Sequence, residues 1–240
     1  MAPLSLIGVD ADDTLWHNEP VFRMTHRRFN DLLSAYASEE ELERRLAAIE
    51  RRNLALYGYG AKGFTLSMLE TALEVSADKC PTSTLKEVLM AGRELMAHPM
   101  EPLPGAREAV EALSRNHRLI LITKGDLFHQ ELKLAASGLG SLFSGVEIVS
   151  EKSPDTYARV FERYGVAPQN CLMTGNSVKS DILPVLALGG WAALVPYPLV
   201  WEVEAAETPS DHPRFRELVT LADLPGFIAE IEGRRAPAGP

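Results

Sequence analysis

The chain has 240 residues, 46% of them hydrophobic, 24% charged and 7% aromatic, a composition that fits one large globular domain or two smaller ones. Its 24 Lys and Arg stand against 33 Asp and Glu, a net charge of −9 with no basic stripe, which argues against a nucleic-acid partner because phosphate neutralisation needs clustered Lys and Arg. Cys80 and Cys171 lack metal or disulfide spacing, and there is no secretory pattern or apolar run of membrane-spanning length, so a cytoplasmic protein with no membrane partner is expected.

The predicted elements begin with a buried strand over Leu4–Val9, a short apolar run that ends in Asp10-Ala11-Asp12-Asp13-Thr14-Leu15. Helical spacing follows in Phe22, Phe29, Leu32, Leu33 and Tyr36, and again in Leu42, Leu46, Ile49 and Leu56. Ser38 with Glu41 three residues on fits a capping box opening the second helix. Arg44, Arg45, Arg51 and Arg52, interleaved with Glu41, Glu43 and Glu50, read as a solvated helix face. Tyr57–Gly63 is a glycine-punctuated loop, after which two more helices run through Leu66, Leu69 and Leu73 and through Leu85, Val88, Leu89 and Leu95.

Past Pro99, Pro102 and Pro104 the rhythm changes to strand–helix alternation. Pro104 sits near a helix start, and Ala109, Val110 and Leu113 give that helix its apolar side. Strands are expected over 118–123, 146–149, 170–174 and 191–195, with Trp191–Val195 the last clear one. Helices are expected over 127–137, 154–164 and 182–188, and the tail from Gly233 to Pro240 is expected to fray. Alternation of this kind implies a parallel sheet with right-handed crossovers. A crossover needs only about a dozen residues, and the stretch from Thr14 to Leu119 is far longer. The fold class expected is therefore α/β: a Rossmann-like parallel core of residues 1–15 and 100–240, with residues 16–99 inserted as an all-helical cap.

In a parallel sheet the carboxyl ends of the strands lie on one side, so the residues just after them converge. These are Asp10 and Asp12 after the first strand, then Thr123, Lys124 and Gly125, then Lys152, then Gly175-Asn176-Ser177 with Asp181 five residues beyond Asn176. Like charges as close as Asp10, Asp12 and Asp13 repel unless a cation or a function holds them. One carboxylate suits attack on an electrophile and another suits proton management, the hydroxyl and glycine turn suit an oxyanion, and the lysine balances charge. Each residue alone has a plainer reading. The Asp10–Asp13 run could cap the next helix, Thr123 could simply end a strand, Lys152 could be a surface lysine, and Asn176 and Asp181 could be turn and cap residues.

Taken in order, Asp10-Ala11-Asp12-Asp13-Thr14, Thr123, Lys152 and Gly175-Asn176-Ser177-Val178-Lys179-Ser180-Asp181 resemble the four motifs of the haloacid dehalogenase superfamily. The helical insertion between the first two motifs is similar to that superfamily's cap. The resemblance implies that Asp10 is a nucleophile forming an aspartyl-phosphate and that Asp12 is the general acid–base. It implies that Thr123 and the Gly125 backbone hold the phosphoryl group and that Lys152 orients Asp10. It also implies that Mg²⁺ sits on Asp10, the Asp12 carbonyl and the fourth-motif residues Asn176 and Asp181. Two departures stand out. Asn176 occupies a place usually held by Asp, and Lys124 a place usually held by a small polar residue, where it adds charge beside the phosphate or points to solvent.

The function expected is a Mg²⁺-dependent phosphomonoesterase acting on a small phosphorylated metabolite, with a lean to nucleoside monophosphates. That lean rests on the Tyr57–Gly63 loop, where Tyr59 could stack on a ring and Lys62 could bind an anion; a plain helix–helix connection fits the loop equally. The alternatives are a 2-haloacid dehalogenase of the same superfamily, against which Asp12 argues because halide needs no acid to leave, and a non-catalytic phosphate-binding regulator, for which Asn176 is the only support.

Overall fold

The computed structural model describes residues 4–235. Along the chain the elements are β1 (Leu6–Val9), α1 (Glu19–Leu33), α2 (Glu39–Tyr57), α3 (Ala61–Val75), α4 (Thr82–Ala97), α5 (Ala106–Ser114) and β2 (Leu119–Lys124). There follow α6 (Leu127–Ser137), β3 (Gly145–Val149), α7 (Pro154–Arg163), β4 (Cys171–Gly175), α8 (Leu183–Ala187), β5 (Trp191–Leu194), β6 (Phe215–Glu217) and α9 (Leu224–Arg235). The chain divides into two units: one holds the residues up to His17, Met100–Thr123 and Glu131 onward, the other Asn18–Pro99 with Lys124–Gln130.

The first unit is built on a six-stranded sheet in the order β3-β2-β1-β4-β5-β6. The pairs β1–β2, β1–β4, β4–β5 and β5–β6 are parallel, with Val9 opposite Leu121 and Thr174. Strand residues alternate between two apolar layers. Ile7, Val9, Leu119, Leu121 and Leu172 pack with Val110 and Leu113 of α5 and Phe227, Ile228 and Ile231 of α9. Leu6, Ile120, Ile122, Cys171 and Met173 pack with Tyr157, Val160 and Phe161 of α7 and Val185 of α8. Both faces are covered, which is why these strands read as continuous apolar runs instead of alternating ones.

The second unit is helical. Phe29 and Leu33 of α1, Leu42 and Leu46 of α2, Phe64 and Met68 of α3 and Val88 and Leu95 of α4 share one core. At Gly92 of α4 a Cβ would overlap the Thr65 side chain of α3, so the close approach of these two helices depends on glycine. Ser38 caps α2 by accepting the Glu41 N–H at 3.3 Å, but the Glu41 carboxylate turns to Arg44 and Arg45, so only half of the expected capping box forms. Arg44, Arg45 and Arg52 pair with acids on an exposed face, as the charge pattern implied. Glu50 departs from that pattern: burial and the nearby Glu19 raise its pKa to about 7.

Two further differences concern the C-terminal part. Trp191–Leu194 is not the last strand, because β6 pairs beside it and α9 follows. Of the tail expected to fray, Gly233–Arg235 complete α9 and residues 236–240 lie outside the described residues. Trp16, placed in the insertion by the sequence reading, is 1% exposed and packs in the core of the sheet-containing unit. Among the described residues no helix is long and apolar enough to cross a membrane.

Candidate active site

β1 ends at Val9, and the Asp10 N–H donates to the Thr174 carbonyl of β4 at 2.9 Å, which carries the sheet register into the loop. The chain then curls: Thr14 and Leu15 N–H groups return to the Ala11 carbonyl, at 3.2 and 2.8 Å, and the Asp13 N–H donates to the Trp16 carbonyl at 2.7 Å. Asp13 takes φ +60°, the left-handed region that Asp tolerates better than most side chains. None of these acids caps α1, whose N-cap is Asn18.

The Asp10 side chain is 8% exposed. One carboxylate oxygen, Oδ1, accepts from Lys152 Nζ at 2.5 Å; the other, Oδ2, accepts from the Thr14 hydroxyl at 3.0 Å. Lys152 Nζ also donates to Asp181 Oδ1 at 2.6 Å, and Asp181 Oδ2 accepts the Ser177 N–H at 3.0 Å. Lys152 is therefore a buried ammonium shared by two buried carboxylates, not a surface lysine. Burial raises the Asp10 pKa to about 7; Lys152 opposes that shift, while the charges of Asp181 and Asp12 add to it. The same two carboxylates hold the Lys152 pKa well above its ordinary value against the effect of burial.

Gly175 makes this geometry possible. A Cβ there would overlap the Asp181 carboxyl and stand 2.9 Å from Asp10 Cβ. Beyond it the chain makes a wide turn over Val178–Ile182 before α8 begins, a distortion of the kind found at functional sites. Ser177 is the cap of this turn, its Oγ accepting the Ser180 N–H at 3.0 Å. Asp181 is thus a member of the buried charge cluster and not a cap, while Asn176 is half-buried at the head of the turn. Thr123, at the end of β2, is buried.

Asp12 is more open than Asp10, its side chain 25% exposed. Its Oδ1 accepts from Trp16 Nε1 at 2.7 Å and from Lys133 Nζ at 2.5 Å.

The remaining expected residues lie in the helical unit. Lys124 Nζ stands over the Tyr59 ring, 4.1 Å from its centroid, so it neither points freely to solvent nor needs an anion to account for its place. Lys62 Nζ pairs with Asp126 at 2.9 Å, and Asp126 in turn accepts the His129 N–H at the start of α6. Gly125 has φ +132°, a conformation that favours glycine.

Several residues around the acids were assigned no role from the sequence. Thr14 lies within the first motif, four residues after Asp10. Lys133 sits on α6, far from any motif. Glu204 lies beyond β5, where its carboxylate accepts from the Ser177 hydroxyl at 2.6 Å and from the Ser180 hydroxyl.

A family model described as haloacid dehalogenase-like hydrolase matches residues 4–189. The chain belongs to that family. It is a hydrolase of the α/β class, as the motif resemblance implied. A solved haloacid dehalogenase-like family hydrolase from Xanthomonas campestris is 41% identical, covers 97% of this chain and 95% of its own, and superposes with a TM-score of 0.86. Two more distant structures share the fold at 19% identity. One, described as a predicted phosphoglycolate phosphatase from Haemophilus somnus, covers 95% of this chain and 99% of its own with a TM-score of 0.64. The other, L-2-haloacid dehalogenase from Xanthobacter autotrophicus with chloropropionic acid covalently bound, covers 94% and 98% with a TM-score of 0.64. None of the curated proteins compared matches the chain.

Proposed function

We propose that this hydrolase is a Mg²⁺-dependent phosphomonoesterase that works through an aspartyl-phosphate on Asp10. Fold alone does not choose between phosphoester and haloacid chemistry, since the family's relatives include both. The observation that carries the reading is Asp12: a second carboxylate, a quarter exposed, follows two residues after the buried Asp10 on the same loop. A halide leaves as an anion and needs no acid, whereas an alkoxide does.

In this reading the Asp10 carboxylate attacks phosphorus and the P–O bond to the leaving group breaks. Asp12 delivers a proton to the departing oxygen, and then takes one from the water that attacks the aspartyl-phosphate, releasing phosphate and restoring both carboxyls. Lys152 and Thr14 hold the two Asp10 oxygens, which fixes the direction of attack. The Thr123 hydroxyl and the Gly125 N–H bind phosphoryl oxygens.

The donor set fits Mg²⁺, which takes hard oxygen ligands and often only one or two carboxylates. Asp10 and Asp181 put two negative charges against one ammonium in a buried site, leaving room in the charge balance for a cation. Asp10, the Asp12 carbonyl, Asn176 and Asp181 are the residues that would hold it. Bound there, Mg²⁺ would neutralise charge on the phosphate oxygens.

We propose further that the helical unit selects the substrate through Tyr59 and Lys62, with a lean to nucleoside monophosphates for the aromatic side chain. A panel of phosphorylated metabolites and 2-chloropropionate, assayed with Mg²⁺ and with a chelator, tests the reading. Phosphate release that needs Mg²⁺ supports it; chloride release without phosphate release favours the dehalogenase, and neither product favours a phosphate-binding regulator.

A further inference from the structure

We propose that Lys133 is a positioning residue for Asp12, fixing the carboxylate that carries the proton in the reaction proposed above; the inference rests on that reading for its catalytic consequence. A lysine ordinarily lies along the surface and leaves its head in water. Lys133 does not: its side chain is 12% exposed and its ammonium lies 2.5 Å from Asp12 Oδ1. The same oxygen accepts the Trp16 indole N–H at 2.7 Å. Trp16 is buried, and the backbone around it is pinned from two sides: the Asp13 N–H donates to the Trp16 carbonyl, and the His17 N–H donates to the Glu101 carbonyl at 2.9 Å. One rigid donor and one charged donor on a single oxygen define both the position and the plane of a carboxylate whose torsions are otherwise soft.

The two donors come from different parts of the chain. Trp16 moves with the loop that carries Asp12, whereas Lys133 belongs to α6, 121 residues away in sequence. Trp16 alone can fix Asp12 only relative to its own loop. Lys133 ties the carboxylate to the helix that follows β2, whose last buried residue is Thr123, so that the proton carrier and Thr123 keep one registration. Proton transfer depends steeply on such placement.

The test compares the wild-type protein with Lys133→Met, alone and in an Asp12→Asn background, on an alkyl phosphate and on 4-nitrophenyl phosphate. Lys133→Met should lower kcat for the alkyl phosphate by roughly tenfold or more with little change in KM, and should affect the nitrophenyl ester less. In the Asp12→Asn background it should cost nothing further, because the group it positions is gone. An equal loss in both backgrounds, or on both substrates, would overturn the inference. A crystal structure of Lys133→Met gives an answer independent of activity: the Asp12 carboxylate should shift relative to Thr123 or split between rotamers, and an unchanged Asp12 would overturn the proposal. If Lys133→Met does not fold, Lys133→Leu, uncharged and without a donor, takes its place in both measurements. A wild-type protein that hydrolyses no phosphoester overturns the phosphatase reading instead, and the structural comparison still decides on Lys133.

Discussion

At the scale of single residues, the centre is governed by how few charges compensate one another out of water. Lys152 serves both Asp10 and Asp181, so its removal would leave two buried carboxylates facing each other, a loss of about 3–5 kcal/mol for a broken buried pair. Asp12 is set apart by its greater exposure and by its own donors, the arrangement expected when two carboxylates divide attack and proton transfer. Asp12→Asn should therefore slow turnover by about 10²–10⁴-fold for a poor leaving group and by less for nitrophenolate. Steady-state rates across a series of leaving groups check this, and a uniform loss would remove Asp12 from the acid's role. Asp10, Asp12, Lys152 and Asp181 stood out in the sequence because each comes after a readable strand, buried throughout for β1 and β4 and short and half-buried for β3. Lys133 and Glu204 were not, since one lies mid-helix and the other beyond the last recognisable strand, where no periodicity points back to the site.

At the scale of elements, the strands buried throughout were plain in the sequence and the half-buried β3 was also read, whereas β6 was missed. β6 is only Phe215-Arg216-Glu217, half-exposed and too short to show a pattern. α9 carries Pro225, Gly226 and Gly233, which weaken a helical reading although the helix packs Phe227, Ile228 and Ile231 into the core. The wide turn over Val178–Ile182 also escaped, because nothing in residue type marks where five residues replace an ordinary helical turn. On α2, Glu50 sets a pH dependence of stability. Its pKa is raised from 4.5 to about 7 in the folded chain, so the protonated form favours folding, and that stabilisation is lost as pH rises from about 4.5 through about 7. Glu50→Gln should raise the Tm at pH 8 by a few degrees, with the gain vanishing towards pH 5. Thermal melts at the two pH values check it, and an equal gain at both would mean that burial of the charge is not the cause.

At the scale of the whole molecule, the division of labour proposed is between a sheet-containing unit that carries the acids and a helical unit that selects the substrate. Of the Tyr57–Gly63 segment only residues 58–60 connect α2 to α3, with Lys62 in the first turn of α3; Tyr59 lies under Lys124, and Lys62 is paired with Asp126. Tyr59→Ala and Lys62→Ala should raise KM for the physiological phosphoester by roughly tenfold, in keeping with the loss of one stacking or charged contact, and leave 4-nitrophenyl phosphate nearly unchanged. Equal effects on both substrates would assign the loop a structural role only. The claim on which everything else depends is that Asp10 takes the phosphoryl group. The direct measurement is an acid quench of Asp12→Asn during turnover of a ³²P-labelled phosphoester with Mg²⁺, followed by peptide mapping. The account predicts label on the peptide that contains Asp10, and none in a protein that also carries Asp10→Asn. Phosphate release by the wild-type protein with no label on that peptide, or full activity in Asp10→Asn, would contradict it.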